Sequence, residues 1–256
     1  MWLSDGHPVI RPSVLQSDFY SSPGRLNNCI QLIDLHVVNH IPFKGACEMT
    51  EYTFYYFPVR GRGEAIRMLW ADVGASYEEI NVAPSVEVWQ QQWKHKMPFG
   101  QAPMVKHGDQ ELVQSNAILR YLGRKYDLYG DGPLEQYRMD MLTDHVEDIR
   151  SEYSRMIYHN YDNGKDEYIK SIPTKFAPVE KFLKSWGNEY IGKKISFADY
   201  NLCDLLDIHE VLSPGCLAQF PSLTAYHARV LARPHIQAYR KSEGFKTRPI
   251  NFNGKQ

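Results

Sequence analysis

Apolar positions recur with the periods of strands and helices only from Tyr52 onward. Residues 1 to 48 are rich in Ser, Pro, Asn and His and hold one apolar patch, Cys29 to Val38. The aromatic run Tyr52-Thr53-Phe54-Tyr55-Tyr56-Phe57, closed by Pro58, predicts a buried strand over Thr53–Phe57. Ile66, Met68, Leu69 and Trp70 predict a helix near Glu64–Val73, with Gly74 as its C-terminal cap. A strand near Tyr77–Val82 and a polar helical stretch through Trp89 and Trp93 follow. Strand, helix, strand in this order implies a parallel unit. Met104–Lys106 and Leu112–Val113 flank His107-Gly108-Asp109-Gln110, which has the composition of a hairpin turn, so two antiparallel strands complete the sheet. Ser115 then takes the N-cap position of a helix over Asn116–Leu122, with Gly123 near its end.

Asp127 to Gly132 is a Gly- and Asp-rich connector, and no strand pair is expected beyond it. Leu134–Tyr158, Tyr168–Trp186 and Asp199–Val211 all space their apolar residues as helices do. Ser196-Phe197-Ala198-Asp199 is a capping-box signature whose primary role is folding. The pattern therefore predicts three parts: a poorly ordered extension over residues 1–48, an α/β domain over 49–127 and an all-helical domain over 128–256. The extension lacks the basic start and apolar core of a signal peptide. Arg11 and Arg25 among serines leave a transit peptide open, while Asp5 and Asp18 count against it.

Composition narrows the classes of partner. A chain of 256 residues with 43% hydrophobic content can build a real core. A formal net charge of -1 gives no electrostatic reason to expect nucleic acid or an anionic membrane. No apolar run approaches the length of a membrane span. Cys29, Cys47, Cys203 and Cys216 show neither CxxC spacing nor a disulfide framework, which fits a reducing, cytoplasmic location.

Taken alone, the candidate chemical residues have ordinary readings. Tyr52, Tyr55 and Tyr56 read as core aromatics, Arg62 as a solvated arginine, and Tyr158 as a helix-face aromatic. Asp144-His145-Val146-Glu147-Asp148 reads as a metal cluster or a solvated acidic face, and no convergent metal ligands are evident elsewhere. Gly61-Arg62-Gly63 lacks the full glycine fingerprint of a nucleotide site.

Several local sequences in fixed order change that picture. They are Tyr52–Arg67, Trp89, Phe99-Gly100-Gln101-Ala102-Pro103, Gln114-Ser115-Asn116-Ala117-Ile118-Leu119-Arg120, Asp144–Asp148, Ser196–Leu206, Leu212-Ser213-Pro214-Gly215-Cys216 and the tail Pro249–Gln256. On these motifs the chain from about Met49 to Gln256 resembles the cytosolic glutathione transferases, and within them the pi class. The resemblance implies a thioredoxin-like domain that binds glutathione, an all-α domain that shapes a pocket for hydrophobic electrophiles, and a homodimer. It implies no cofactor beyond glutathione as co-substrate, and no metal.

Residue by residue, Tyr56 matches the tyrosine whose hydroxyl donates a hydrogen bond to the glutathione sulfur. Arg62, Trp89, Lys94, Gln101, Ala102, Pro103, Gln114, Ser115 and Asp148 match the remaining glutathione-binding positions. Ala102-Pro103 matches the family's cis-proline. Gln114 and Ser115 open a helix whose free N–H groups suit the γ-glutamyl carboxylate. The segment between Trp89 and Gly100 is one residue shorter than the family pattern, so Lys94 and Lys96 both stand for the lysine at the glycine carboxylate. Asp148 matches the aspartate that reaches the partner subunit's glutathione amine, and Phe99 the aromatic key of the dimer. Phe57, Val59, Tyr158 and the tail through Asn253 and Gly254 match the electrophile pocket. Met97 stands where vertebrate pi enzymes commonly carry a reactive cysteine, so thiol-based regulation is not expected there. The expected activity is conjugation of the glutathione thiolate to hydrophobic electrophiles, as in detoxification. The alternative is a non-catalytic binder on the same fold, and retention of Tyr56, Gln101, Pro103, Gln114 and Ser115 together favours the enzyme.

Overall fold

The computed structural model describes residues 51–256. The expected extension over residues 1–48 lies outside them, as do Cys29 and Cys47. The described residues form one compact unit.

A four-stranded sheet, ordered β2-β1-β3-β4, sits at the N-terminal side of this unit. Strand β1 (Tyr52–Tyr56) pairs in parallel with β2 (Tyr77–Asn81) and antiparallel with β3 (Met104–His107), which pairs antiparallel with β4 (Gln110–Val113). The β1 register sends Tyr52, Phe54 and Tyr56 into the core and leaves Thr53 and Tyr55 half-buried, the period-two pattern of a strand. Helix α1 (Glu64–Val73) ends at Gly74 with φ of 71°, the left-handed cap that its glycine permits without a Cβ penalty. The helix packs on the sheet through Trp70, whose ring stacks on Tyr77 at 4.6 Å and meets Phe54 edge-on at 5.4 Å. The β3–β4 hairpin turns at Gly108, φ of 58°.

Between β2 and β3 the chain makes three short turns: α2 (Val86–Val88), a π-helical turn (Trp89–Trp93) and a 3₁₀ turn (Lys94–Lys96). The regular helix expected through Trp89 and Trp93 is absent because the segment buries only one edge. Met97, Val82 and Met104 form a small core beneath it, with Trp89 and Trp93 packed against them.

Helix α3 (Ser115–Lys125) corrects the expected cap. Ser115 is its first helical residue, and the N-cap is Gln114, with φ of 68° and no side-chain cap bond. The helical layer holds α4 (Pro133–His159), α5 (Tyr161–Trp186), α6 (Phe197–Leu212), α7 (Pro221–Leu231), α8 (Pro234–Lys241) and α9 (Glu243–Lys246). Helix α6 packs against α1, α3, α4 and α7 and is buried on nearly every face, so its buried polar side chains, Asp199, Asn201, Asp204 and His209, must find partners inside the protein. The capping box at its start is present: the Asp199 carboxylate accepts the Ser196 N–H at 2.7 Å and hydroxyl at 2.6 Å. It also accepts the Ile191 N–H and the Tyr226 hydroxyl. Helix α5 continues through Pro173 and Pro178, so the composition rule against proline in a helix interior is overridden by packing of Phe176 and Val179 in the core.

Candidate functional site

Where the C-terminal ends of β1 and β4 meet the helical layer, a cavity of about 720 Å³ opens, the size expected of a small-molecule site. Tyr56 is the last residue of β1, and the following turn folds back over it. The Tyr56 hydroxyl accepts the Arg62 N–H at 2.7 Å, which leaves its own proton free to donate into the cavity. Burial pushes the phenol up to about 12, against the Arg62 N–H bond and the Arg67 and Arg62 charges, so it stays protonated at neutral pH and acts as a donor. The turn reaches this close because two side chains are missing. A Cβ on Gly61 would lie 2.5 Å from the Tyr56 hydroxyl, and one on Gly63 would lie 2.7 Å from the Tyr56 ring and 2.9 Å from Phe54. Gly61 also has φ of 42°, which an L side chain resists.

The turn is clamped from both sides. The Arg67 guanidinium is fully buried and bonds the carbonyls of Val59 and Arg60, as well as Glu64 and Glu79. From the other side the Arg60 and Gly61 N–H groups bond the carbonyls of Pro249 and Ile250, at 2.8 and 3.1 Å.

The opposite wall is the start of α3. Gln114, Ser115 and Asn116 line the cavity, and the first N–H groups of this helix lack intrahelical partners, an anion site by construction. Gln114 holds its left-handed φ without being glycine, a strain of about 1–3 kcal/mol that concentrates at functional sites. Its amide bonds the Gln101 side chain at 3.2 Å. Gln101, Ala102 and Pro103 line the cavity between the two walls, and the Ala102–Pro103 bond is cis. Trp89 and Phe57 complete this region, their rings edge to face at 5.1 Å.

Lys94 does not line the cavity, but a Cβ on the cavity-lining Gly100 would lie 3.7 Å from its side-chain stem. Lys96 points its ammonium over the Trp93 ring instead, at 4.8 Å. The Arg62 guanidinium lines the cavity and is bound by Glu147 at 2.5 Å; the same carboxylate accepts from Asn116 and Ser151. Burial raises the Glu147 carboxyl, but Arg62 outweighs this and holds it below the usual range.

Sequence reasoning named Asp148 and passed over Glu147. Within one chain Asp148 is exposed and outside the cavity lining, while Glu147 is in it. Adjacent residues on a helix point about 100° apart, so only one of the two can face α3. Phe99 lines the cavity mouth and is 67% exposed, an unusual state for a large aromatic.

Phe57, Val59 and Tyr158 line the apolar side, as expected, together with Asn251 and Phe252. Asn253 and Gly254 do not, which corrects the tail by two residues. The Asn253 amide is spent on the Ile157 carbonyl at the end of α4, at 2.9 Å. Asn251 is buried and bonds the Tyr153 hydroxyl, and the Phe252 N–H donates to the Tyr158 hydroxyl at 3.1 Å. Tyr158 thereby also keeps a free proton facing the cavity. Among the described residues no cluster of three or more His, Cys, Asp or Glu could hold a metal ion, and no helix is long and apolar enough to cross a membrane.

Comparison with known proteins adds an independent line. Residues 52–124 match the family model of the glutathione S-transferase N-terminal domain, and residues 147–243 that of the C-terminal domain. The chain is 51% identical over 211 residues to Glutathione S-transferase P 1 of Bufo bufo, covering 80% of this chain and 99% of that protein. It is 50% identical over 212 residues to Glutathione S-transferase P of Homo sapiens, covering 81% and 100%. A solved Pi-class glutathione S-transferase of Onchocerca volvulus superposes with a TM-score of 0.76 at 40% identity, covering 80% of this chain and 100% of that one.

Proposed function

The chain belongs to the glutathione S-transferase family and to its pi class, and on that premise we propose how its cavity divides the work of conjugation. Glutathione lies with its thiol at Tyr56 and its γ-glutamyl carboxylate at the start of α3. The Tyr56 hydroxyl donates to the sulfur and favours thiolate over thiol. Hydrophobic electrophiles enter against Phe57, Val59, Tyr158 and Phe252, where Tyr158 donates its proton to an oxygen that gains charge. Gln101, Gln114 and Ser115 hold the tripeptide, and Lys94, whose stem lies along Gly100, meets its glycine carboxylate; Trp89 closes that end. Glu147 keeps Arg62 beside the thiol. Asp148 and Phe99, both exposed in the single chain, serve a homodimer, Asp148 at the partner's glutathione amine and Phe99 as the key. The protein works in the cytoplasm with no cofactor beyond glutathione.

Activation of the thiol is the smaller part of the acceleration. A thiol of pKa ~8.5 is about 3% ionised at pH 7, and lowering it by about two units raises this roughly 24-fold. Nucleophilicity falls with basicity and takes back about 8-fold. A net gain of about 3-fold leaves the larger share to oriented binding, which can supply several kcal/mol.

The observation that carries this reading is the Arg62 N–H to Tyr56 hydroxyl bond at 2.7 Å, because it orients a protonated phenol as a donor toward the cavity. The test is the ultraviolet thiolate band on titrating glutathione into the protein near neutral pH. A band in the parent and none in Tyr56→Phe supports the assignment. Glutathione bound without a band overturns it and favours a binder on the transferase fold.

A further inference from the structure

The last six residues form a small turn whose two ends are tied to different elements. At the near end Asn251 is buried against the Tyr153 hydroxyl, and just upstream Pro249 and Ile250 hold the Arg60–Gly61 turn. At the far end the start of α5 supplies three side chains. Tyr161 donates its hydroxyl to the Gln256 main-chain oxygen at 2.6 Å, and Lys165 reaches the same oxygen at 3.2 Å and the Tyr161 hydroxyl at 2.8 Å. Asp162 takes both its oxygens to the Lys255 ammonium at 3.1 Å, and that ammonium also lies 4.8 Å over the Tyr161 ring. The turn is closed internally by Gly254 N–H to the Asn251 carbonyl and by the Asn251 amide to the Lys255 carbonyl.

Phe252 sits between the two anchors. It is half-exposed, its ring faces Phe57 at 6.0 Å, and its N–H is bound by Tyr158. None of Tyr161, Asp162 and Lys165 lines the cavity, so none touches a substrate there. We propose that Tyr161, Asp162 and Lys165 are positioning residues for the electrophile half of the site: they fix the far end of the tail and thereby the placement of Phe252 and Tyr158. This rests on the reading of the cavity given above. Its specific content is a split. The near anchor holds the catalytic turn without help from α5, so loosening the far anchor alters the electrophile side and leaves glutathione binding and thiol activation intact.

The test uses the full chain and three variants, Tyr161→Phe, the double variant Asp162→Asn with Lys165→Met, and the conservative Lys165→Arg. The electrophile is 1-chloro-2,4-dinitrobenzene, in which the glutathione thiolate forms the C–S bond and chloride leaves with the electron pair of the C–Cl bond. The double variant is expected to raise the KM for the electrophile about 5-fold, the effect of roughly one net hydrogen bond. The KM for glutathione and the thiolate band stay within about twofold of the parent in this scheme. Tyr161→Phe gives a smaller change in the same direction, and Lys165→Arg retains the parent values. Equilibrium affinity for the product S-(2,4-dinitrophenyl)glutathione, compared with glutathione itself, gives the same split without turnover.

An unchanged electrophile KM and product affinity in the double variant overturns the proposal. So does an equal loss on both substrates, which would mean general loosening of the fold. Failure of the glutathione reading shows differently, as absence of the thiolate band in the parent, and the product-affinity ratio still reads the positioning effect.

Discussion

Replacing Tyr56 with Phe removes one oxygen from a position where its hydrogen-bond partners are fixed. The hydroxyl accepts from Arg62 and, among the described residues, has no other protein partner for its proton, so in the binding mode proposed above that proton is the one offered to the glutathione sulfur. A hydrogen bond to a charged group is worth about 1.5–3 kcal/mol, which moves the bound thiol by about 1–2 pKa units. Taking two units, from about 6.5 to about 8.5, the thiolate fraction at pH 6.5 falls from one half to about 1%, a loss of about 50-fold. The more basic thiolate recovers up to about 8-fold in reactivity. Turnover at pH 6.5 should therefore fall between about 6-fold and 50-fold.

At pH 9.5 both proteins hold mostly thiolate, and the variant matches or exceeds the parent. The assay is initial rate at saturating glutathione and electrophile from pH 5.5 to 9.5, with glutathione KM followed in parallel. Two profiles displaced along the pH axis are expected, converging at the alkaline end. Parallel profiles, with the same loss at every pH, would refute the reasoning, since the tyrosine would then act on something other than ionisation. A collapse of glutathione affinity would refute it as well, because the hydroxyl makes no contact that the rest of the tripeptide requires.

Gly63→Ala places a methyl group 2.7 Å from the Tyr56 ring, so it should cost about 1–3 kcal/mol of stability and lower turnover by displacing the hydroxyl; thermal unfolding and kcat check both. Gln114→Gly relieves the left-handed backbone at the α3 cap and should keep or raise Tm while raising the KM for glutathione, since the strain and the binding side chain are removed together. His209 is buried, donates from Nδ1 to the Leu205 carbonyl, accepts the Tyr168 hydroxyl at Nε2, and is pushed down to about 4 by burial. Because its folded value lies below the unfolded one of about 6.5, its contribution is full above pH 6.5 and is lost as pH falls toward 4, about 3 kcal/mol in all. His209→Gln should flatten the stability profile across that window relative to the parent, measured by urea unfolding at pH 7 and pH 4.5.

The sheet and the three long helices were legible because each carries its period over enough residues. The aromatic alternation in β1, the glycine after Val73 and the turn at Gly108 each point to the same answer locally and globally. The α3 cap was not, since Ser115 obeys the capping rule better than Gln114, and tertiary position overrides that local preference. The Trp89–Trp93 segment escaped because a one-sided stretch over a three-residue core gives no sustained period. In the site, Tyr56, Arg62, Gln101, Ala102, Pro103, Gln114 and Ser115 all line one cavity, because each stands on a turn or element end next to a regular element. Register hid two features: Glu147, which faces the cavity, is the neighbour of Asp148 on α4, and the tail repeats asparagine at 251 and 253. Nothing local distinguishes the two asparagines. Their roles are decided by what lies opposite, the Tyr153 hydroxyl for one and the Ile157 carbonyl for the other.

The position of Met97 has a bearing on how the protein survives its own chemistry. It is buried under the Trp89–Trp93 segment, and no cysteine among the described residues lines the cavity. Of the cysteines in the described residues, Cys203 is fully buried, and Cys216 is pushed up to about 12 by burial and by the Glu210 carboxylate beside it. Set against the thiols of the described residues, the one most able to react with an electrophile inside the cavity is therefore the one glutathione brings. Among the described residues the cavity lining offers self-alkylation no thiol, so any thiol alkylated by excess electrophile without glutathione should map outside that lining, as peptide mass analysis of the treated protein would show.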